Sequence, residues 1–503
     1  MQLLLHIDVL EKTKKDLSFV KNLLAELGSK NIRVWASALH YYQVFSNARE
    51  AAISTDAMDS ISGISILNHT AKELRNCVNE ENTDSALSVS AVCAFNLDGL
   101  IALDPKQISS DGISVYSPEQ ILDGSFETKD NQPAVPLLNL QASYPDTHED
   151  VEAEMAEVIR SGRFILGGKV EDLERKISKY CGVPQSVGVS SGTDALLIAL
   201  MAAGVQAGDE VITTPFTFFA TVGTISRLGA RPVFADIEPE SFNIDPSKIA
   251  SVVTDKTKAV LPVHLYGQCA DMDPVLEIAK QNNLLVIEDA AQAIGSTYKG
   301  LPAGSMGDYG CFSFFPTKNL GGFGDGGMVT VKDESLAEKL KILRMHGAAP
   351  KYYHHCVGGN FRLDAIQAGV VSARMDRLDE WLKNRRSNAE RYDRLFGASG
   401  LEDFIRTPKE IFSGHSYNQY VVRAPKQRDK LRTFLGERKI ASEIYYPVPL
   451  HLQECFKDLG YNEGDFPHSE KAAKEVLALP ISQEVSAEQQ EYVVESIKLF
   501  FRR

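Results

Sequence analysis

Three segments of the sequence carry side chains that could do chemistry together. In SVGVSSGTDALLIALMAAG, an apolar strand runs into Ser190–Asp194 and then into a helix that begins near Ala195. The first backbone N–H groups of a helix have no partner within the helix, and small residues with hydroxyls allow an anion to approach them. The segment predicts a phosphate-binding site, although the same residues also suit an ordinary helix N-cap.

The second segment, LLVIEDAAQA, places acidic residues at the end of a predicted strand. Glu288 and Asp289 end the apolar run, and Gln292 follows three residues later. Open α/β sheets bind their ligands at the carboxyl ends of the strands, so a carboxylate is delivered where a ligand would lie. The alternative is that the acid only caps the following helix.

The third segment is CFSFFPTKNLGGFGDGGMVTV, in which Lys318 follows an aromatic strand. Pro316 precedes it, and a glycine-rich run from Gly321 to Gly327 comes after it. A lysine in so tightly curved a loop suggests a fixed reactive amine, whereas most lysines are simply solvated. The glycines precede the strand MVTV and do not join a strand to a helix, so they are not a dinucleotide-binding fingerprint.

Together, the three segments contain the parts that pyridoxal 5'-phosphate (PLP) requires. The lysine makes the Schiff base, the acid keeps the pyridine nitrogen protonated, and the helix start holds the phosphate. The sequence therefore predicts a PLP site built from residues about 130 positions apart.

The elements that must position these residues predict an α/β fold. Apolar runs such as DEVITT, RPVFADI and LLVIED alternate with helical segments, which is typical of a mainly parallel sheet covered on both faces. From about Asp376, long charged helices and two short strand-like runs, YNQYVVR and ASEIYYPV, predict a smaller C-terminal α/β lobe. The predicted divisions are a separate domain at 1–122, a polar linker at 123–136, a large domain at 137–375 and a small domain at 376–503.

Composition excludes several classes of protein. The 503 residues include 53 Lys and Arg against 67 Asp and Glu, a net charge of −14, which disfavours binding to nucleic acid over the whole surface. The seven cysteines include no CxxC pair, and the adjacent His354 and His355 cannot both face one ion from a regular strand, so no metal site is predicted. No apolar run is long enough to be a signal peptide or a membrane span, and we expect a cytoplasmic protein.

From about Val135 onward, the sequence resembles the DegT/StrS-type nucleotide-sugar aminotransferases, which have the fold-type I PLP-dependent transferase fold. The matching segments include GRFILGGKVEDLE, SSGTDALLIAL, TPFTFFATVGTI, IEDAAQA, SFFPTKNLGGFGDGG and GGNFRLDAIQA, in the family's order. The resemblance implies a homodimer with a shared active site. It also implies that the enzyme transfers an amino group and that glutamate is the donor. Some members carry histidine in place of the Schiff-base lysine and are dehydratases, but here Lys318 is present.

The resemblance also assigns roles to individual residues. Lys318 would form the Schiff base, and Asp289 would pair with the pyridine nitrogen. Phe218 would stack on the ring, and Gln292 would lie near the ring hydroxyl. The residues implied to hold the phosphate are Gly192, Thr193, Ser313 and, from the neighbouring subunit, Asn360.

The substrate implied by the resemblance is a nucleotide-linked keto-sugar. The segments PVHLYGQCADMD and YYPVPLHLQECF resemble members that aminate 3-keto sugars, including UDP-3-keto-N-acetylglucosaminuronic acid. Arg362 could pair with a sugar carboxylate, or it could contact the amino donor or a diphosphate, or be structural. Tyr446 and His451 are candidates for sugar contacts.

The first 122 residues resemble a PIN-type nuclease domain, in which acids hold a divalent metal for phosphodiester hydrolysis. Asp8, Asp84 and Asp104 match three of its acidic positions, but the helical segment SALHYYQVF has no carboxylate where another acid is expected. Metal-dependent ribonuclease activity of this domain is therefore one alternative to the transaminase prediction. The other is a sensor that binds PLP without turnover.

Overall fold

The structure is a computed structural model that describes residues 134–502 together with five short strands nearer the amino terminus. The chain divides into two compact units, Met1–Gln132 and Pro133–Arg503. The boundary falls inside the predicted linker. Val135, although placed in that linker by the sequence, is fully buried and pairs with Ile440 in an isolated parallel bridge. The second unit therefore begins before residue 137, the predicted start of the large domain.

The described strands of the first unit form one parallel sheet. They are β1 (Gln2–Leu5), β2 (Arg33–Ser37), β3 (Ile64–Leu67), β4 (Gly99–Ile101) and β5 (Val115–Tyr116). Their order is β3-β2-β1-β4-β5, and each neighbouring pair is parallel. Parallel neighbours need crossover connections of about a dozen residues or more, as in α/β units. The acids of the predicted PIN-like site, Asp8, Asp84 and Asp104, lie outside the described residues.

The second unit is built on a seven-stranded sheet of order β6-β14-β13-β10-β9-β7-β8. Four of its strand pairs are parallel, and β14 runs antiparallel to both β13 and β6. A short antiparallel hairpin precedes β13. The strands are β6 (Gln185–Val189), β7 (Glu210–Thr213), β8 (Arg231–Phe234), β9 (Thr257–Val260), β10 (Leu285–Asp289), β11 (Thr297–Tyr298), β12 (Leu301–Pro302), β13 (Tyr309–Ser313) and β14 (Gly327–Val331).

Both faces of this sheet are buried. Neighbouring residues along a strand join different apolar clusters, as Val286 and Ile287 do in β10 and Met328 and Val329 do in β14. Burial on both faces explains why the strands read as nearly continuous apolar runs. The mainly parallel sheet that the sequence predicts for the large domain is confirmed.

Between residues 134 and 375, the structure has nine α-helices. They are α1 (Leu140–Ser143), α2 (His148–Ser161), α3 (Gly168–Cys181), α4 (Gly192–Ala202), α5 (Phe219–Arg227), α6 (Pro246–Ile249), α7 (Met272–Gln281), α8 (Glu334–Arg344) and α9 (Ala365–Met375). Gly162 and Gly182 end α2 and α3 in the left-handed conformation, which glycine adopts without steric cost. The alternation of helix and strand is that of an α/β fold.

The C-terminal part forms a smaller lobe with its own apolar core. Two antiparallel strands, β15 (Tyr420–Arg423) and β16 (Val476–Leu479), pack with α10 (Leu378–Gly397), α11 (Arg428–Glu437) and α13 (Ala487–Phe501). The helix α12 (Pro467–Glu475) packs in a separate apolar cluster that these strands share with the large domain. Short 3-10 helices lie at Ala250–Val252, Leu265–Gly267, Leu450–Leu452 and Glu454–Leu459. The strand expected at ASEIYYPV is reduced to one isolated bridge between Glu443 and Ala478.

Two further properties concern residues 134–502. None of their helices combines the length and apolar character that crossing a bilayer requires. No group of three or more His, Cys, Asp or Glu side chains in this range is arranged to hold a metal ion. The ring nitrogens of His354 and His355 instead contact the backbone carbonyls of His346 and Ala349.

Candidate active site

A cavity of about 510 Å³ lies beyond the carboxyl ends of β6, β10 and β13. Its lining includes eight of the residues predicted from the sequence, namely Gly192, Thr193, Phe218, Asp289, Gln292, Ser313, Lys318 and Tyr446. The three chemical segments of the sequence therefore meet at one edge of the sheet, where parallel strands bring their carboxyl ends together.

The start of α4 forms an anion cradle. Ser191 is the N-cap, and its Oγ accepts a hydrogen bond from the Asp194 backbone N–H at 3.0 Å. A Cβ on Gly192 would lie 2.6 Å from the Ser313 Cβ, so only glycine allows β13 to approach the helix start this closely. The remaining N–H groups of the first turn and the helix dipole favour an anion here. The cradle fits a phosphate group.

Asp289 ends β10 with its carboxylate buried beside the cavity. Its Oδ2 accepts a hydrogen bond from the Thr221 hydroxyl at 2.8 Å, and the Thr217 hydroxyl lies 3.0 Å from that of Thr221. Burial raises the pKa of Asp289, while the Thr221 hydroxyl and the Ala291 backbone N–H act against that rise. A buried carboxylate is stable in its charged form only beside a cation or hydrogen-bond donors, and a protonated ring nitrogen would be such a cation.

The neighbouring acid, Glu288, points to the opposite face of β10 and has a structural role. Its carboxylate accepts hydrogen bonds from the backbone N–H groups of Gly304, Met306 and Gly307 and from the His264 ring, at 2.6–2.8 Å. The Ala270 N–H donates to His264 Nδ1, so the ring proton sits on Nε2. Burial acts to raise the pKa of Glu288, but His264 and the backbone donors outweigh it, and the net pKa is lowered.

Lys318 lies in a tight loop that follows β13. The Lys318 N–H donates to the Phe315 carbonyl at 2.9 Å, and the Gly322 N–H donates to the Phe314 carbonyl at 2.7 Å. A Cβ on Gly321 would lie 2.5 Å from the Pro316 carbonyl oxygen, so the glycine is required by this turn. Desolvation lowers the pKa of Lys318 to about 8, and the Asp289 carboxylate opposes that shift. The loop therefore presents an amine that is easily deprotonated.

Gln292 is held in one orientation by contacts on both sides. Its Oε1 accepts a hydrogen bond from the Tyr266 backbone N–H at 2.7 Å, so its Nε2 faces the Tyr446 hydroxyl at 3.1 Å. Burial raises the pKa of Tyr446, which keeps its hydroxyl protonated. Gln292 and Tyr446 thus present hydrogen-bond donors to the cavity. Phe218, whose ring centroid lies 6.1 Å from that of Tyr446, is exposed along the same wall.

Two of the remaining predicted residues line a second cavity of about 380 Å³. Asn360 and Arg362 lie there with Ser190, Asp364 and Gln367, and Asp325 lines both cavities. The Arg362 Nε atom is buried without a hydrogen-bond partner in the described chain. The structure thus places these residues next to the main cavity and not inside it.

His451 is placed away from both cavities. The 3-10 helix Leu450–Leu452 turns its side chain into the core, where it packs edge-on against Phe466 with ring centroids 4.7 Å apart. Its Nε2 lies 3.2 Å from Glu470 Oε1, and its side chain is fully buried. A direct contact between His451 and a sugar therefore has no support in the structure.

The fold and this site agree with the comparison to known proteins. The model of the DegT/DnrJ/EryC1/StrS aminotransferase family matches residues 145–498. The chain belongs to this family. It is therefore a PLP-dependent sugar aminotransferase, and the cofactor predicted from the sequence is confirmed.

Individual relatives agree with this assignment. The "Pleiotropic regulatory protein" of Geobacillus stearothermophilus is 52% identical over 73% of this aminotransferase and 99% of its own length. The UDP-2-acetamido-2-deoxy-3-oxo-D-glucuronate aminotransferase of Pseudomonas aeruginosa is 38% identical over 69% of this chain and 94% of its own.

Solved structures give the same result. DesV of S. venezuelae, at 39% identity, superposes with a TM-score of 0.71 over 74% of this chain and 99% of its own. NtdA of Bacillus subtilis, solved with bound PMP, has 29% identity and a TM-score of 0.70 over 86% of this chain and 96% of its own.

Several residues that shape the site were not identified from the sequence. Thr221 and His264 hydrogen-bond the two acids of β10, Asp289 and Glu288, through contacts between distant segments. Thr221 had no local signal of this role, because Thr217, four residues earlier, lies before the helix N-cap Phe218 and the spacing is not a helical one. His264 had no such signal, since its partner Glu288 lies 24 residues away.

The lowered pKa of Lys318 predicts how the aminotransferase reacts with amine reagents before it is loaded with cofactor. The neutral amine is the nucleophile, so labelling of Lys318 should rise as the pH passes through about 8. Lys299, whose pKa is raised by its contact with Asp273, should stay slow over the same range. Peptide mass spectrometry after labelling at several pH values measures both. Labelling of Lys318 that rises only near pH ~10.4, the value of an ordinary lysine, would contradict the assignment.

Proposed function

We propose that the protein transfers an amino group from glutamate to a nucleotide-linked 3-keto sugar for glycan biosynthesis. UDP-3-keto-N-acetylglucosaminuronic acid is the substrate type that we favour. The observation that carries the proposal is the meeting of Lys318, Asp289 and the start of α4 at one cavity. A sensor that binds PLP without turnover is disfavoured, because Lys318 and Asp289 both line the cavity.

The residues of the cavity divide the work among them. When bound, PLP supplies an aldehyde that takes up the donor nitrogen and a ring that accepts electrons. The start of α4, with Gly192, Thr193 and Ser313, holds the phosphate. Asp289 holds the proton on the ring nitrogen, and Phe218 packs against the ring face. The amine of Lys318 would take a proton from the donor carbon as base and return it as acid.

The preference for a 3-keto sugar is supported by the relatives. The names of several matching proteins specify amination at the third carbon, with dTDP-linked sugars in some and UDP-linked sugars in others. Arg362 supplies a planar fork of donors that suits a glucuronate carboxylate. Tyr446 supplies a protonated hydroxyl that suits a sugar oxygen. These two residues are our candidates for substrate contacts.

A panel of keto-sugars tests this function. The enzyme is first aminated with glutamate, the excess donor is removed, and UDP- and dTDP-linked 3-keto and 4-keto sugars are added one at a time. The return of the aldehyde form, followed by its visible absorbance, identifies the acceptor. A panel that leaves the cofactor aminated throughout, or no amination by glutamate in the first step, would refute the proposal.

We also propose that the enzyme is a cytoplasmic homodimer with shared active sites. Asn360 lines the second cavity, which meets the main one at Asp325. Exposed apolar side chains, among them Phe164, Tyr353 and Val357, lie on segments near Asn360 in the sequence or the fold. A partner subunit that covers them would bring its own Asn360 towards the phosphate.

Subunit exchange between two inactive variants tests the shared site. A Lys318→Ala subunit keeps Asn360, and an Asn360→Ala subunit keeps Lys318, so one of the two sites in a heterodimer is complete. We expect the mixture to regain a substantial part of the activity. The Lys318→Ala protein alone, taken through the same exchange procedure, is the inactive control. Heterodimers that form, as shown by mass spectrometry, but stay inactive would contradict a shared site.

Metal-dependent nuclease activity of the first unit is the second candidate function. The observation that favours it is the pairing of Leu5 with Ile101 in the neighbouring parallel strands β1 and β4, because Asp8 and Asp104 each follow three residues after this pair. Against it stand the missing fourth acid and a net charge of −7 over residues 1–130, from 11 Lys and Arg against 18 Asp and Glu. Cleavage of RNA with Mn²⁺ that is lost on Asp8→Asn with Asp104→Asn would establish it, and no cleavage would dismiss it.

A further inference from the structure

A smaller cavity of about 80 Å³ adjoins the main one. We refer to it as the side cavity. Its lining includes three residues of the main cavity, Thr317, Gln419 and Tyr445, and Thr317 is the residue before Lys318. Two polar residues of the side cavity, Arg385 and Asn418, do not line the main cavity.

Arg385 is a buried cation with no carboxylate within ion-pair distance, although the Glu484 carboxylate, connected to it through Gln483, acts on its charge. Its Nε donates to Gln483 Oε1 at 3.2 Å, and its Nη1 donates to the Tyr417 carbonyl at 3.1 Å and more weakly to that of Asn418. Its Nη2 has no hydrogen-bond partner within the described chain. Burial lowers the pKa of Arg385 to about 10, so the side chain still carries its charge at neutral pH.

Two other buried arginines of the same unit have direct carboxylate partners, whereas buried Arg374, like Arg385, makes no ion pair within the described chain. Arg423 lies 2.6 Å from Glu475, and Arg344 lies 2.7 Å from Glu174. Buried charges in proteins are normally paired in this way, because an isolated one loses its hydration without compensation. The side cavity therefore holds a buried positive charge that makes no direct ion pair, because its nearby acid, Glu484, is bridged to it by Gln483.

Asn418 adds an unpaired amide to the same cavity. The residue is 8% exposed, its side chain makes no hydrogen bond within the described residues, and its Oδ1 is fully enclosed. The Nδ2 atom has no hydrogen-bond partner among the described residues, so its N–H groups are free to donate to a ligand in the cavity. A buried amide without partners is costly, so an external partner is expected.

We propose that the side cavity binds a carboxylate of the amino-acid donor. The inference rests on the proposed transamination and assigns a place for the donor beside Lys318. Arg385 Nη2 and the Asn418 amide donate to the carboxylate, and the amine of the donor points towards Lys318 past Thr317. The volume suits a carboxylate with an adjoining methylene, since a water molecule occupies about 30 Å³.

The Asn418→Asp variant tests the site, because it places a carboxylate of the chain itself beside Arg385. We expect the thermal unfolding midpoint of the holoenzyme to rise, since the buried cation gains a partner. We also expect the dissociation constant for glutamate in the donor half-reaction to rise by about 10- to 100-fold. Binding of glutarate, which has no amine to react, should be lost in calorimetry on the same variant.

Two further variants separate a binding role from a structural one. Asn418→Ala removes an amide that has no partner in the protein, so it should weaken glutamate binding and leave the unfolding midpoint unchanged or higher. Asn388→Ala is the matched control, because Asn388 is a buried asparagine on α10 whose amide already bonds Ser482 and which lines neither cavity. It should lower stability and leave the affinity for glutamate intact. Unchanged glutamate and glutarate binding in both Asn418 variants would overturn the proposal.

The choice of donors shows which carboxylate is bound. Alanine has only the α-carboxylate, whereas glutamate also has a distal one. If Asn418→Ala weakens both donors equally, the α-carboxylate occupies the side cavity, and if it weakens only glutamate, the distal one does. The acceptor half-reaction with a keto-sugar serves as the internal reference. Its failure in the wild-type enzyme would refute the proposed function, whereas a normal acceptor half-reaction with glutamate binding unaffected in the variants refutes the side cavity alone.

Discussion

The Lys318→Ala variant is expected to lose at least about 10⁴-fold in transaminase turnover, because both nucleophilic attachment and proton transfer depend on one amine. The visible absorbance of the purified enzyme should change with it, since the cofactor is no longer held covalently. The measurement is the steady-state rate with glutamate and the accepted keto-sugar, together with the absorbance spectrum of the holoenzyme.

The Lys299→Ala variant is the matched control for this result. Lys299 is an exposed lysine paired with Asp273 on the surface, away from the cavity. Its loss should leave both the rate and the spectrum unchanged. If Lys318→Ala kept the full rate, or if both variants lost activity to the same degree, the assignment of the reactive amine would be wrong.

The Asp289→Asn variant should lower the rate of the glutamate half-reaction by about 10²- to 10³-fold, the scale seen when one electrostatic partner of a transition state is removed. Asparagine keeps the shape and the contact with Thr221, but it has no negative charge for the role that we propose for Asp289, which is to hold a proton on the ring nitrogen. The reaction is followed by stopped-flow absorbance at saturating glutamate, so that weaker donor binding does not contribute to the loss.

The adjacent acid provides the control. Glu288→Gln removes an equally buried charge one residue away, but that charge holds His264 and the loop at Gly304–Gly307. We expect a lower unfolding midpoint, because the buried hydrogen-bond donors around Glu288 lose their charged acceptor. The half-reaction should be nearly normal in the protein that remains folded. Equal kinetic losses in the two variants would mean that Asp289 acts only through general electrostatics of the strand.

The parts of the site that could be predicted are those encoded within one segment. The start of α4, the acid at the end of β10 and the lysine loop each have a local pattern, and the parallel sheet brings their strand ends together. His451 shows the limit of local reasoning, because its position after YYPVP suggested the cavity while its turn directs it towards Glu470. Arg385 and Asn418 also could not be predicted, since their lack of partners is a property of packing.

The placement of Asp289 and Glu288 on opposite faces of β10 has a consequence for the evolution of the chain. A strand alternates its side chains with a period of two, so deleting or inserting one residue within β10 would exchange the faces of the two acids. The aspartate would then face the backbone N–H groups at Gly304–Gly307, and the longer glutamate would face the cavity that is predicted to hold the cofactor ring. Substitutions in this strand are tolerable one position at a time, but we expect its length to be invariant among functional descendants, with insertions confined to the surface loops.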